Sequence, residues 1–167
     1  MWLRGPVPGF APELLPIAQS LLQVREELVA AVSTLSDQEL WARPAGAASI
    51  GFHVKHLAGS LDRLLTYARG QGLTGAQREA LDEEERSGSP AERPAVLLRL
   101  AHAAIDRALD QLRATPVETL LEARRVGRAG LPSTVIGLLF HAAEHAQRHA
   151  GQIATTAKIV RGIEGRP

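Results

Sequence analysis

The sequence has no cysteine among its 167 residues, and aromatic side chains make up only 4% of the total. Without cysteine the chain can form neither a disulfide nor a zinc–thiolate site, which suits the reducing environment of the cytosol. We therefore expect a cytoplasmic protein. Few aromatics in a chain rich in alanine and leucine favour helix over sheet.

The chain also lacks an excess of either charge, with 19 basic and 18 acidic side chains. Proteins that bind nucleic acid by neutralising phosphates usually carry a strongly basic face or tail, so we expect no nucleic-acid partner. No apolar run approaches the ~20 residues that span a bilayer, and the N-terminus lacks the apolar stretch of a signal peptide. We expect a single domain over residues 1–167 that does not bind a membrane.

Apolar residues recur at three- and four-residue spacing over four segments, which predicts four long helices. Their approximate ranges are 12–33, 50–69, 91–114 and 134–161, and Ser49 and Ser133 are the expected N-caps of the second and fourth. Four such helices around one core predict an all-α fold, an antiparallel four-helix bundle.

Short segments precede, connect and follow these helices. Prolines make residues 1–10 an irregular arm, and residues 162–167 form a tail outside the fold. The S-x-x-E pattern from Ser36 to Glu39 predicts a short capped helical turn.

Two longer connections lie further along the chain. Residues 74–85 are expected to form a short polar helix, and its acidic run at 82–85 is expected to be a solvated face. Residues 87–90 read as a linker. Residues 117–132 contain two glycines and a proline, and we expect a loop there over one end of the fold, with a non-helical stretch near residues 123–132.

Five of the six histidines fall on two predicted helices, in the segments HVKH (53–56) and HAAEHAQRH (141–149). Two histidines four apart on a helix lie close enough for both imidazoles to converge on one ion. On a helical wheel of the fourth helix, His149 points into the bundle, His145 lies at the core edge and His141 leans towards solvent. Inward imidazoles need polar partners, and a shared metal ion is one way to supply them. The buried face of this wheel consists of Val135, Leu139, Ala142, Ala146, Ile153 and Val160.

A third ligand would come from the second helix, through His53 or His56. On that wheel His53 lies about 60° from the centre of the buried face and His56 about 120°, so periodicity favours His53. The alternative is that these histidines are surface or hydrogen-bonded core residues with no metal. His102, alone on the third helix, is expected at the surface or the core edge.

Two segments resemble motifs of the DinB/YfiT-like superfamily. In SIGFHVKHLAG (49–59) a serine begins the helix and a histidine follows seven residues later, before Leu-Ala, which places the ligand at His56 rather than His53. HAQRHAGQ (145–152) resembles the second motif, two histidines four apart followed by Arg-Gly-Gln, with Ala150 where arginine is usual. The resemblance implies a four-helix bundle with one divalent ion, zinc or nickel, bound by His56, His145 and His149.

The resemblance further implies a metal-dependent enzyme, either a thiol S-transferase that uses a low-molecular-weight thiol or a hydrolase. Three neutral imidazoles leave the ion its full charge and an open position, where bound water can reach a pKa of about 7 or a thiolate can be stabilised. Such an enzyme needs no protein nucleophile. The alternative is a non-catalytic stress-response or binding module whose metal site is vestigial or structural.

The sequence offers weaker candidates for substrate binding in Gln152, one turn after His149, and in Arg63 and Tyr67 on the second helix. A surface position without a role is the alternative for each of them. Glu144 is expected to face solvent, which makes it a poor general base. The expected partners are a small-molecule substrate or thiol and a second copy of the chain, since alanine- and leucine-rich bundle faces can pair and many relatives are dimers.

Overall fold

The computed structural model describes residues 5–84 and 92–164, with side chains as far as Gly162. Most of this chain is helical. The elements are α1 (Leu15–Val32), α2 (Asp37–Trp41), α3 (Ile50–Ala68), α4 (Gly75–Glu83), α5 (Pro94–Ala114), the strands β1 (Ala123–Val126) and β2 (Leu131–Thr134), and α6 (Val135–Glu164). Single 3₁₀ turns cover Pro44–Gly46 and Val117–Thr119.

The long helices α1, α3, α5 and α6 form the predicted four-helix bundle, in which α6 and α5 each pack against both α1 and α3. Residue contacts define the helix directions. His53 meets His149 while His56 meets His145, so α3 and α6 are antiparallel.

The helices α3 and α5 instead run parallel. Lys55, near the start of α3, pairs with Glu92, just before α5, and the Leu65 carbonyl near the end of α3 accepts from Gln111 near the end of α5. The chain must therefore travel back along the bundle between these two helices. The short helix α4 lies in this return segment and packs against α3, so the residues that follow α4 reach the first half of α3.

The predicted buried face of α6 is confirmed, because all six of its residues are buried. Those residues are Val135, Leu139, Ala142, Ala146, Ile153 and Val160. All of them except Val160 belong to one apolar cluster with the inner faces of the other long helices. Within the described ranges, no helix combines the length and apolar character that a membrane span requires.

Two predicted helix starts differ from the structure, by three residues in α1 and by one residue in α6. The helix α1 begins at Leu15 rather than Pro12, because Pro16 occupies the first turn, where the missing N–H costs no intrahelical bond. The cap of α6 is Thr134 and not Ser133, since Oγ1 of Thr134 accepts from the Gly137 N–H at 3.1 Å.

The helix ends and connections also differ from the prediction. Residues 162–164 continue α6 instead of forming a tail, and α5 begins at Pro94, whereas the predicted start at Ala91 lies outside the described residues. The predicted linker at 87–90, residues 1–4 of the arm and residues 165–167 of the tail also lie outside them.

The stretch before α6 is non-helical in its second half, as predicted, but it is a hairpin and not an open loop. Strands β1 and β2 pair antiparallel, with Val126 opposite Leu131. Gly127 and Gly130 in the turn have φ of 67° and 61°, which glycine adopts without strain. The hairpin leads directly into α6, and the Glu122 carbonyl accepts from the N–H of Val135 at 3.1 Å.

Candidate metal centre

The first turns of α3 place two histidines in the bundle. Oγ of Ser49 accepts from the Phe52 N–H at 3.2 Å and caps the helix, as predicted. The Trp41 ring of α2 packs so closely on Gly51 that a Cβ there would lie 2.7 Å from it. The start of α3 is therefore fixed both by its cap and by this contact.

Three imidazoles meet between α3 and α6. One ring nitrogen from each of His56, His145 and His149 lies within 4.8 Å of the other two. The ring centroids are 4.6 Å apart for His145 and His149, 4.7 Å for His56 and His149, and 5.3 Å for His56 and His145. Nε2 of His56 and Nε2 of His145 are separated by 3.1 Å. Two nitrogens on one tetrahedral zinc at 2.0–2.1 Å lie ~3.3 Å apart, so this donor set suits a divalent ion.

The order of burial along α6 confirms the helical wheel. His149 is buried with 8% of its surface exposed, His145 is half-buried, and the side chain of His141 is 52% exposed. His141 contacts Glu144 at 3.4 Å instead of joining the three-histidine cluster. His102 on α5 is half-buried, in agreement with the predicted core edge.

His53 is more buried than His56, as its wheel position predicted, yet it falls outside the cluster. Its Nδ1 lies 3.0 Å from Nδ1 of His149, so His53 contacts one member of the cluster from behind, within hydrogen-bond distance. A wheel ranks the residues of one helix by burial. Which of them reaches His145 depends on where α6 crosses, and a single helix does not contain that information.

The buried histidines of the site are neutral at ordinary pH. Burial, followed by the charges of neighbouring histidines, lowers the pKa of His149 to about 3. Burial is also the main cause of the lowered pKa of His53 and of His145. Only the neutral imidazole binds a metal, so these rings are in the form that a ligand requires.

Glu84, directly after α4, is a site residue that the sequence analysis missed. It is only 4% exposed, which makes the expected solvated face wrong at this position. Its Oε2 lies 2.7 Å from Nδ1 of His56, and both of its carboxylate oxygens accept from the Arg63 guanidinium. Burial has the largest influence on this carboxyl and opposes ionisation. The hydrogen bonds that it accepts from His56 and Arg63, together with the charge of Arg63, outweigh burial, so the pKa of Glu84 lies below its usual value. The sequence did contain one sign of this buried carboxylate. Glycine is usually unfavourable inside a helix, and Gly59 of α3 leaves the space that the Glu84 side chain occupies.

The weaker candidates have different surroundings. Arg63 is 8% exposed and pairs with Glu84, so it does not line a pocket rim. Tyr67 lines a separate groove with Arg128 of the hairpin turn. Gln152 is exposed and lines a groove that includes His53, together with Arg148, Thr155 and Thr156.

Glu144 lies at the edge of the histidine cluster and partly faces solvent, as predicted. It accepts from Arg148 at 2.6 Å, and this hydrogen bond is the main reason that its pKa is lowered. A carboxylate with a lowered pKa is a weak base, so Glu144 is poorly suited to general-base catalysis.

A four-helix bundle with three histidines converging from two antiparallel helices defines the class of this protein. The model of the DinB superfamily matches residues 20–153, well over half of the chain. The chain belongs to the DinB superfamily.

One similar solved structure is that of YfiT from Bacillus subtilis, described as "a probable metal-dependent hydrolase with an unusual four-helix bundle topology". The two chains share 17% sequence identity with a TM-score of 0.66, over 93% of this chain and 92% of that chain. At this identity the likeness establishes a shared fold. No protein with a curated description matches the sequence.

Proposed function

We propose that this protein is a metal-dependent hydrolase that binds one divalent ion, zinc or nickel, through His56, His145 and His149. The main support is the convergence of three ring nitrogens to within 4.8 Å of one another. The description of YfiT as a probable metal-dependent hydrolase supports the reaction class.

The surroundings of each ring suggest which nitrogen binds. Nε2 of His56 and Nε2 of His145 already face each other at 3.1 Å. Nδ1 of His149 is engaged with His53, which leaves Nε2 of His149 for the ion. On three neutral ligands a bound ion would keep its full charge and an open position, and so supply Lewis acidity to a water or a thiol.

The residues around the ligands have separate roles in this proposal. His53 accepts a hydrogen bond from Nδ1–H of His149 and holds that ring in place. The groove beside His53 presents the amide of Gln152 and the hydroxyls of Thr155 and Thr156, which suit a small polar substrate. Glu144 is already bound to Arg148, so no protein base is assigned.

Two alternatives make different use of the same residues. In thiol S-transfer, a low-molecular-weight thiol would be the nucleophile, since the chain has no cysteine of its own. In a non-catalytic module, the histidines would hold a structural ion or none.

The experiment is to load the purified protein with zinc or nickel, desalt it and measure metal by mass spectrometry, and then to replace the metal with cobalt. We expect about one equivalent of metal and hydrolysis of small ester or amide substrates that requires no thiol. A thiol-induced change in the visible cobalt spectrum, with thiol-dependent turnover and no hydrolysis, would replace hydrolase by S-transferase. Failure to retain metal near one equivalent would overturn the enzyme proposal.

A further inference from the structure

We propose that Glu84 is a positioning residue for the candidate metal centre: its carboxylate holds His56 so that Nε2 of that ring faces the cluster of histidines that would hold an ion. This inference rests on the proposed function. Oε2 of Glu84 lies 2.7 Å from Nδ1 of His56, and Nε2 on the opposite side of the ring lies 3.1 Å from His145. One ring is thus in contact with a carboxylate through one nitrogen and with the histidine cluster through the other.

The hydrogen-bonding capacity of the two groups assigns the tautomer. An ionised carboxylate can only accept, so Nδ1 of His56 carries the hydrogen and donates it to Glu84. With the hydrogen on Nδ1, Nε2 is the nitrogen of His56 that presents a lone pair to the cluster. Such a carboxylate partner fixes the ring orientation of a metal-binding histidine and raises its basicity.

The Glu84 carboxylate lies against Arg63 and Gly59 of α3. The Arg63 guanidinium donates to both oxygens of Glu84 and compensates a buried charge that would otherwise be costly. A Cβ on Gly59 would lie 2.2 Å from Oε1 of Glu84 and 2.7 Å from Nη1 of Arg63. Any larger residue at position 59 would therefore force the Glu84 carboxylate and the Arg63 guanidinium to shift.

One face of the His56 ring is also in contact with an aromatic side chain. The Phe52 ring stacks on it with a centroid distance of 5.6 Å and an interplanar angle of 15°. Stacking limits ring tilt but does not choose between the two tautomers. The tautomer of His56 therefore depends on Glu84. A positioning residue controls this tautomer, whereas an ion pair that only attaches α4 to α3 would leave it unchanged.

The test combines nuclear magnetic resonance with metal affinity. Nitrogen chemical shifts of the histidine rings in the metal-free protein should show His56 as the Nδ1–H tautomer. In Glu84→Ala the Nε2–H tautomer should gain population, while Glu84→Gln, which keeps an acceptor oxygen, should retain more of the original form. By competition with a chelator, Glu84→Ala should bind zinc ten- to hundredfold more weakly than the unmodified protein.

Gly59→Ala provides a second route, because it displaces the carboxylate and leaves every ionisable group in place. It should also weaken zinc binding, even though alanine normally favours a helix over glycine. The matched controls are Gly151→Ala, where an added Cβ meets nothing within 4 Å, and Glu79→Ala on the exposed side of α4. Both controls should bind zinc like the unmodified protein, and circular dichroism confirms that each variant is folded.

Two results would overturn the inference. One is an Nε2–H tautomer for His56 in the unmodified, metal-free protein, and the other is a folded Gly59→Ala protein that binds zinc as tightly as the unmodified chain. The tautomer is measured without metal, so failure of the unmodified protein to take up any metal would count against the proposed function instead.

Discussion

The two helices that meet at the histidine cluster hold their rings in different ways. On α6, the buried His149 lies against another neutral ring, with its Nδ1 3.0 Å from Nδ1 of His53. On α3, the half-buried His56 lies against a charged group, with its Nδ1 2.7 Å from the Glu84 carboxylate that Arg63 compensates.

The two sides also differ in how their members are brought together. His145 and His149 share one face of α6 because they are four residues apart, and any straight helix would place them so. Glu84 reaches His56 only because α3 and α5 are parallel and the chain returns between them through α4. The two histidines of α6 are thus brought together by local spacing, whereas the contact of Glu84 with His56 depends on the path of the chain.

The largest expected effect is the loss of metal in His149→Ala. This ring is the most buried member of the cluster, and its removal leaves two ligands from different helices and an empty polar site. Metal content by mass spectrometry, after loading with zinc and desalting, should fall to near zero. The matched control is His141→Ala on the same helix, where the exposed ring lies outside the cluster and metal content should not change. Retention of a full equivalent by folded His149→Ala would show that His149 is not a metal ligand.

The stability of the metal-free protein should fall as the pH drops from 7 to 5. The pKa of His149 is lowered to about 3, and those of His53 and His145 are lowered as well. In the unfolded chain these rings take up protons near pH 6.5, whereas the folded protein keeps them neutral, so the unfolded state binds more protons. The free energy of unfolding from urea titrations should therefore decrease as the pH falls through this window, which lies above the pH range in which carboxyl groups titrate.

The control for this pH dependence is His149→Ala, which lacks the ring with the largest shift. Its free energy of unfolding should vary less steeply with pH than that of the unmodified protein. A flat profile for the unmodified, metal-free protein would contradict the neutral state of the buried histidines.

The smallest of these effects is expected for His53→Ala. This change removes the acceptor behind His149 but no proposed ligand, so zinc affinity should fall about ten- to hundredfold while saturating zinc still gives one equivalent. His53→Asn, whose Oδ1 lies two bonds from Cβ as Nδ1 does, should recover part of the affinity. Chelator competition measures both values. If His53→Ala loses the metal at saturation and His56→Ala keeps it, His53 is the ligand, as periodicity on α3 favoured.

Much of the fold could be predicted because it depends on periodicity along single helices. Six apolar positions of α6 define a buried face, and the structure places all six there. The capping box at Ser36 and the N-cap at Ser49 could be predicted because each is a local interaction. In both, the serine side chain accepts a hydrogen bond from the N–H three residues later. The pairing of β1 with β2 was not readable, since four-residue strands give too little alternation to separate from a loop.

The sequence by itself determined four amphipathic helices and the inward, edge and outward positions of His149, His145 and His141, because these follow from 3.6 residues per turn. The tertiary structure decided which histidine of α3 completes the cluster, because that depends on where α6 crosses α3. It also decided that Glu84 is buried beside His56 while its neighbours in the acidic run at 82 and 83 are exposed. Charge composition cannot distinguish these residues, because only the return of the chain past Gly59 and Arg63 provides a compensated site for a single carboxylate.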